Sequence, residues 1–292
     1  MTRAVASLVA AAAVAFTVAA CAARPDAGAP RSPADGPALP LPIAPAPEGA
    51  SPHLALASLA NDPAALADPG VTRASSCPGP AGAMVLVDGD YCTEVRERCL
   101  EWEDPPANRL ARCARFGPSE CVGERVHKRF CVDRDEYVAS GQALPLSDVS
   151  WTQARQVCES QSKRLCKETE WEFACEGEAL LPYPTGYVRD AKVCNFDKDP
   201  LLDGKGKLLD LREPEDDRSA CVSPFGVRNM SGNVDEWVLR DRTYGEWRSA
   251  LKGGWWMAAR DRCRPATTAH DEHFHQLQTG VRCCADASGA GP

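Results

Sequence analysis

Apolar and polar positions follow three regimes along this chain. Residues 1–20 carry one charge, Arg3, and then an Ala/Val-rich run ending Val18-Ala19-Ala20-Cys21. Such a run has the n-region and h-region of an export signal and is too short for a spanning helix. From Ala22 to about Ser76 the chain is mostly Ala and Pro with scattered Gly and Ser. That composition cannot bury enough apolar surface to offset its ordering entropy, and its prolines favour extended conformations, so residues 21–76 read as a spacer. Its Ala/Leu segment near Leu54 to Leu66 suggests no more than a weak helix. Apolar and polar residues then mix from Cys77 to Asp286, a length that fits one domain, with 287–292 as a tail.

Within that domain two helix starts are legible. Ser150-Trp-Thr-Gln153 and Thr169-Glu-Trp-Glu172 both have the capping-box pattern, and they frame Lys163-Arg164-Leu165. The order is therefore helix, short strand or turn, helix. Segments near Met84 to Val87 and Arg129 to Val132 read as strands. Asp197 to Ser219 is long, charged and broken by Gly and Pro, which predicts a surface loop. Asp199, Asp203-Gly204 and Asp210 echo a calcium loop, but Leu201 stands where an oxygen ligand is required.

The cysteines change the picture most. The chain has 15 of them, and setting Cys21 aside leaves an even 14. In an exported chain this argues for disulfides, up to seven. No C-x-x-C pair offers a zinc site, and Cys283-Cys284 are too close to chelate one tetrahedral ion together. The small residues before Cys21 resemble a bacterial lipobox, which implies cleavage there and lipid attachment; the alternative is an ordinary signal peptide with an incidental cysteine. With the lipobox the chain is tethered to a membrane of a bacterial cell envelope. No later stretch is long and apolar enough to span a bilayer. Net charge is −8 and becomes −9 once Arg3 is removed, which opposes nucleic-acid binding.

Candidate chemistry concentrates in Phe225–Val238, FGVRNMSGNVDEWV. Gly232 and Asn233 are the residue types that most readily take positive φ, so the segment bends tightly. A loop offering an Asn amide, carbonyls and a carboxylate is either a hard-cation site, closer to calcium than zinc, or a turn whose polar groups cap one another. His270, His273 and His275 lie within six residues, compatible with a borderline metal or with a solvated polar loop. Trp255 and Trp256 beside Arg260 and Arg262 have the composition of a binding surface, although tryptophans are mostly core.

Asn229-Met-Ser-Gly-Asn-Val-Asp-Glu-Trp-Val238 resembles the N-x-x-G-N-x-x-E-W signature of the formylglycine-generating enzyme (sulfatase-modifying factor) family. Val149-Ser150-Trp151 with Ala154 is similar to its V-S-W-x-x-A. Lys163-Arg164-Leu165 with Glu168, Glu170-Trp171-Glu172 and Ala174 resembles its K-R-L-P-T-E-x-E-W-E-x-A. Lys252-Gly253-Gly254 and Gly280-Val281-Arg282-Cys283 resemble its R-G-G and G-F-R-C. The resemblance implies an α+β, C-type-lectin-like fold over residues 77–286, low in regular structure and rich in disulfides. It implies structural calcium at Asn229, Gly232, Val234 and Glu236, with Asn195 as a further ligand, and disulfides Cys158–Cys283 and Cys175–Cys263.

The same resemblance argues against the family's copper oxidase chemistry. Two cysteines five residues apart are expected after R-G-G. Counting from Gly254, the first falls on Ala258 and the second on Cys263; counting back from Cys283, Cys263 is instead the structural cysteine. Cuprous copper needs soft thiolates, so at least one ligand is missing. Trp255 replaces the expected serine and Asp235 the first tryptophan of W-E-W. Copper is therefore not expected. The reading is an exported, tethered binding or structural module for a protein or small-molecule ligand. The rival is a divergent oxidase, or another metal-dependent oxidoreductase, with Cys263 as candidate catalytic residue.

Overall fold

A computed structural model describes residues 77–288, apart from 106, 108–110 and 244. The export signal, Cys21, the Ala/Pro spacer and most of the tail lie outside the described residues. In chain order the elements are β1 (Met84–Cys92), β2 (Val95–Arg96), β3 (Cys99–Trp102), β4 (Cys113–Phe116), β5 (Glu120–Cys121), β6 (Arg125–Asp133) and α1 (Trp151–Glu159). There follow β7 (Arg164–Leu165), α2 (Glu168–Glu176), β8 (Asp235–Leu239), β9 (Ser249–Lys252), β10 (Ala266–Thr267), β11 (Thr279–Gly280) and β12 (Cys283–Asp286). Two four-stranded sheets, ordered β1-β6-β12-β7 and β10-β9-β8-β11, carry the domain. Long irregular segments join them, as a C-type-lectin-like α+β fold requires. No helix among the described residues is long and apolar enough to cross a membrane.

The two long strands extend well beyond their sequence nuclei: Met84 pairs with Asp133 and Cys92 with Arg125. Helix α1 starts as its capping box dictates. Gln153 N–H donates to Ser150 Oγ and Ser150 N–H to Gln153 Oε1. Helix α2 begins two residues earlier than its sequence suggests. Thr169 lies inside it, and its N–H and hydroxyl both donate to Asp241, a side chain distant in sequence. Glu170 accepts from Lys167 N–H, closing the first turn instead of Glu172. Glu172 turns into the interior, where it meets Lys252 at 2.9 Å.

Every cysteine among the described residues is in one of seven disulfides. Cys158–Cys283 and Cys175–Cys263 join elements distant in sequence. The N-terminal cluster, whose connectivity the sequence leaves open, pairs Cys92 with Cys121 and Cys99 with Cys113. Cys77–Cys131, Cys166–Cys284 and Cys194–Cys221 complete the set. Cys283 and Cys284 are neighbours on one strand, and their side chains leave opposite faces. One therefore bolts β12 to α1 and the other to the start of α2. A set of seven disulfides fits an exported domain.

Candidate functional site

The polar loop before β8 bends as its residue types require. Asn229, Gly232 and Asn233 have φ of 58°, 82° and 61°. Glycine is obligatory at 232, because a Cβ there would lie 2.2 Å from the Asn195 carbonyl oxygen. That carbonyl accepts from Asn233 N–H at 2.8 Å. Asn195 Nδ2 donates to Leu211 O and to Asn233 Oδ1, whereas Asn195 Oδ1 is buried without a hydrogen-bond partner. Asn229 Nδ2 donates to Glu215 O.

Glu236 is engaged differently from a free metal ligand. Its Oε1 accepts from Arg282 Nη2 at 2.8 Å, and its Oε2 from Arg282 Nε at 3.0 Å and Trp171 Nε1 at 2.6 Å. Arg282 also donates to Asp133 O and Arg228 O. Glu136, also buried, accepts from Asn233 Nδ2 and Val234 N–H. Burial first, and the neighbouring Glu236 second, raise its carboxyl pKa, while Arg282 opposes the shift. For a calcium ion, Asn195 Oδ1 is a fitting hard oxygen with no competing donor. The one carboxylate of the implied set is already neutralised by Arg282.

The three departures from the family pattern gather in one place. Asp235 and Trp255 line a cavity of about 100 Å³ together with Leu251, Gly253, Gly254, Met257, Ala259, Arg260, Asp261 and the 265–267 segment. Ala258 lies on the same stretch. Cys263 is buried and bonded to Cys175, so it is the structural cysteine of the second count and no thiolate ligand. At the floor, Asp261 Oδ2 accepts from Arg189 Nη2 at 2.7 Å and from Ala259 N–H at 3.1 Å. Its Oδ1 is buried without a partner. Burial pushes the Asp261 carboxyl up to about 6 against the pull of Arg189. Burial, then Asp261, push Asp235 up to about 8, although Gly254 N–H donates to it. Asp261, a lone acid between Arg260 and Arg262, carries no periodic or spaced signal in the sequence.

Two other expectations need correction. Trp256 is not a surface group: it is fully buried, edge-on to Trp255 at 5.1 Å. Arg262 is not free to bind, because it pairs with Glu97 and lies 5.1 Å from the centre of the Phe116 ring. Trp255 and Arg260 do reach the cavity. The three histidines do not converge. His270 stacks on Phe274 with ring centres 3.6 Å apart, His275 meets Asp148 at 2.9 Å, and His273 is exposed. Among the described residues no three His, Cys, Asp or Glu side chains are placed to hold a metal ion. Asp203 and Asp210, which echo a calcium loop in the sequence, are occupied by the backbone N–H groups of Lys205 and Lys207 and by Arg212.

The E-W and G-x-R-C motifs thus meet in a disulfide-locked domain of formylglycine-generating-enzyme class, joined here by a buried Glu–Arg pair. The family model described as sulfatase-modifying factor enzyme 1-like domain matches residues 110–287, and the chain belongs to that family. It is 32% identical over 167 residues to inactive C-alpha-formylglycine-generating enzyme 2 of Bos taurus, covering 51% of this chain and 51% of that protein. It is 28% identical over 159 residues to serine/threonine-protein kinase pkn1 of Chlamydia caviae, covering 47% of this chain and 22% of that protein. Among solved structures it is similar to CarF at 17% identity and a TM-score of 0.48, covering 70% of this chain and 98% of that one. PvdO from Pseudomonas aeruginosa matches at 16% identity and a TM-score of 0.38, covering 74% and 97%.

Proposed function

We propose that this chain is an exported ligand-binding module of formylglycine-generating-enzyme type that lacks the oxidase chemistry. One observation carries the reading: Cys263, the candidate copper ligand, is held in a buried disulfide with Cys175, and Ala258 occupies the other position. Cuprous copper needs thiolates, and the described residues leave none uncommitted. The word inactive in the name of the Bos taurus relative is in keeping with this. Attachment to an envelope membrane through lipidated Cys21 belongs to the same proposal and rests on the lipobox pattern. Structural calcium beside Asn195 and the Asn229–Glu236 loop is a separate proposal, supported by the unpartnered Asn195 Oδ1.

The oxidised full chain, incubated with copper, oxygen and a C-x-P-x-R peptide, is expected to leave the peptide cysteine intact by mass spectrometry. Conversion to formylglycine would return the chain to the oxidases.

A further inference from the structure

We propose that the cavity at the end of β9 binds a primary ammonium group on a short apolar stem, received between Asp235 and Asp261. This rests on the reading of the domain as a binding module. Two acidic side chains approach Gly254: Asp235 accepts its N–H, and Asp261 Oδ1 lies beside where its Cβ would be. A Cβ at 254 would stand 2.0 Å from that oxygen, and the residue has a φ of 73°, so only glycine leaves the approach open. Asp261 is wholly buried and its Oδ1 has no partner, whereas Oδ2 is fixed by Arg189 and Ala259. Leaving a buried carboxylate oxygen without a donor is costly, and a donor arriving with a ligand removes that cost.

The charged groups around the floor do not supply that donor. Arg189 is committed to Asp261 Oδ2 and Asp197, and Lys252 to Glu172 and the Arg264 carbonyl. The raised pKa of Asp261, caused by burial, is what a carboxylate short of positive charge displays. A metal ion would need further ligands, and among the described residues no third His, Cys, Asp or Glu joins this pair. The remaining walls include Leu251, Trp255, Met257, Pro265 and Ala266. Apolar walls with an aromatic ring suit an alkyl stem and its cationic end, and an ammonium has three donors to share between two acids. Arg260 lines the same cavity, and none of the described acids pairs with it. It favours ligands that carry a carboxylate beyond the stem over diamines.

The test titrates the oxidised full chain with L-lysine, a lysine-containing peptide, cadaverine and Nε-acetyl-lysine, read by calorimetry and tryptophan fluorescence. Saturable binding of lysine or the peptide, with cadaverine weaker and Nε-acetyl-lysine silent, is expected. The tighter of the first two identifies the source as free amino acid or polypeptide. Asp261→Asn should weaken binding about tenfold or more, as loss of a charge-assisted hydrogen bond does, and Asp235→Asn is the second variant. If neither variant folds, the comparison of lysine with its acetylated form in the unaltered chain decides. No saturable binding of any amine, or equal binding of the acetylated form, overturns the proposal. Peptide oxidation in the copper assay would instead sink the non-catalytic reading, so the two failures are distinguishable.

Discussion

Glu236 and Arg282 meet at 2.8 Å with their side chains 1% and 0% exposed, and this pair sits where the family signature implies a calcium carboxylate. Arg282 spends its other donors on the Asp133 and Arg228 carbonyls, tying β8 to the end of β6 and to the polar loop. A buried pair of this kind adds little over an apolar substitute, but removing one partner strands a charge. Glu236→Ala should therefore destabilise the domain by about 3–5 kcal/mol, read as a lower denaturant midpoint. The loss should be the same with calcium and with chelator present. A loss of under about 1 kcal/mol, the range of exposed pairs, would contradict the enclosed pairing.

Because Glu236 is engaged in this way, its substitution cannot serve as the test for calcium. Chelation of the unaltered chain can. If Asn195 Oδ1 binds calcium, saturating calcium should raise the melting temperature over the chelated protein, and Asn195→Asp should strengthen the response. Identical melts with and without chelator would refute calcium binding.

Stability should fall as pH rises from about 4.5 through 7. Burial pushes Glu176 up to about 7 and Asp261 up to about 6. Between their unfolded and folded values, the folded chain binds more protons than the unfolded one, so raising pH favours unfolding. At lower pH the sign reverses. Burial alone would raise the Glu172 carboxyl, but Lys252, Arg264 and Arg242 hold it below the usual value, and its contribution is lost on acidification. The melting temperature should thus be higher at pH 5 than at pH 8, and the opposite order would overturn this assignment.

Breaking Cys175–Cys263 by the double alanine substitution should cost about 2–5 kcal/mol, as loss of native disulfides in small exported domains does. Ala258→Cys alone should confer no oxidase activity, because its would-be partner thiol is in that bond. Formylglycine formation by Ala258→Cys would show that Cys263 can leave Cys175.

Local signals were the most legible. Gly232 and Asn233 announce their positive φ by residue type, and Ser150 with Gln153 announces the start of α1. The start of α2 was displaced because Asp241, 72 positions from Thr169, supplies the acceptors for the first turn. No local pattern carries that information. The Cys92–Cys121 and Cys99–Cys113 pairings depend on the registers of β2 with β5 and β3 with β4, which short strands do not encode by themselves. Trp256 and Arg262 had a recognition composition, yet one fills the core and the other reaches Glu97 in the N-terminal region. Asp235 stands out in the sequence only as a departure from W-E-W and Asp261 looks ordinary; that they form a pair depends on β8 and the segment after β9 bringing both to Gly254.

Strand β12 lies between β6 and β7 in its sheet, although it follows every other element in the chain. The central gap in that sheet stays open until residues 283–286 have been delivered. A chain that stops before β12 therefore cannot form the finished sheet. The last strand to be made is thus the one that joins β6 to β7, and the sheet closes from the inside and not from an edge.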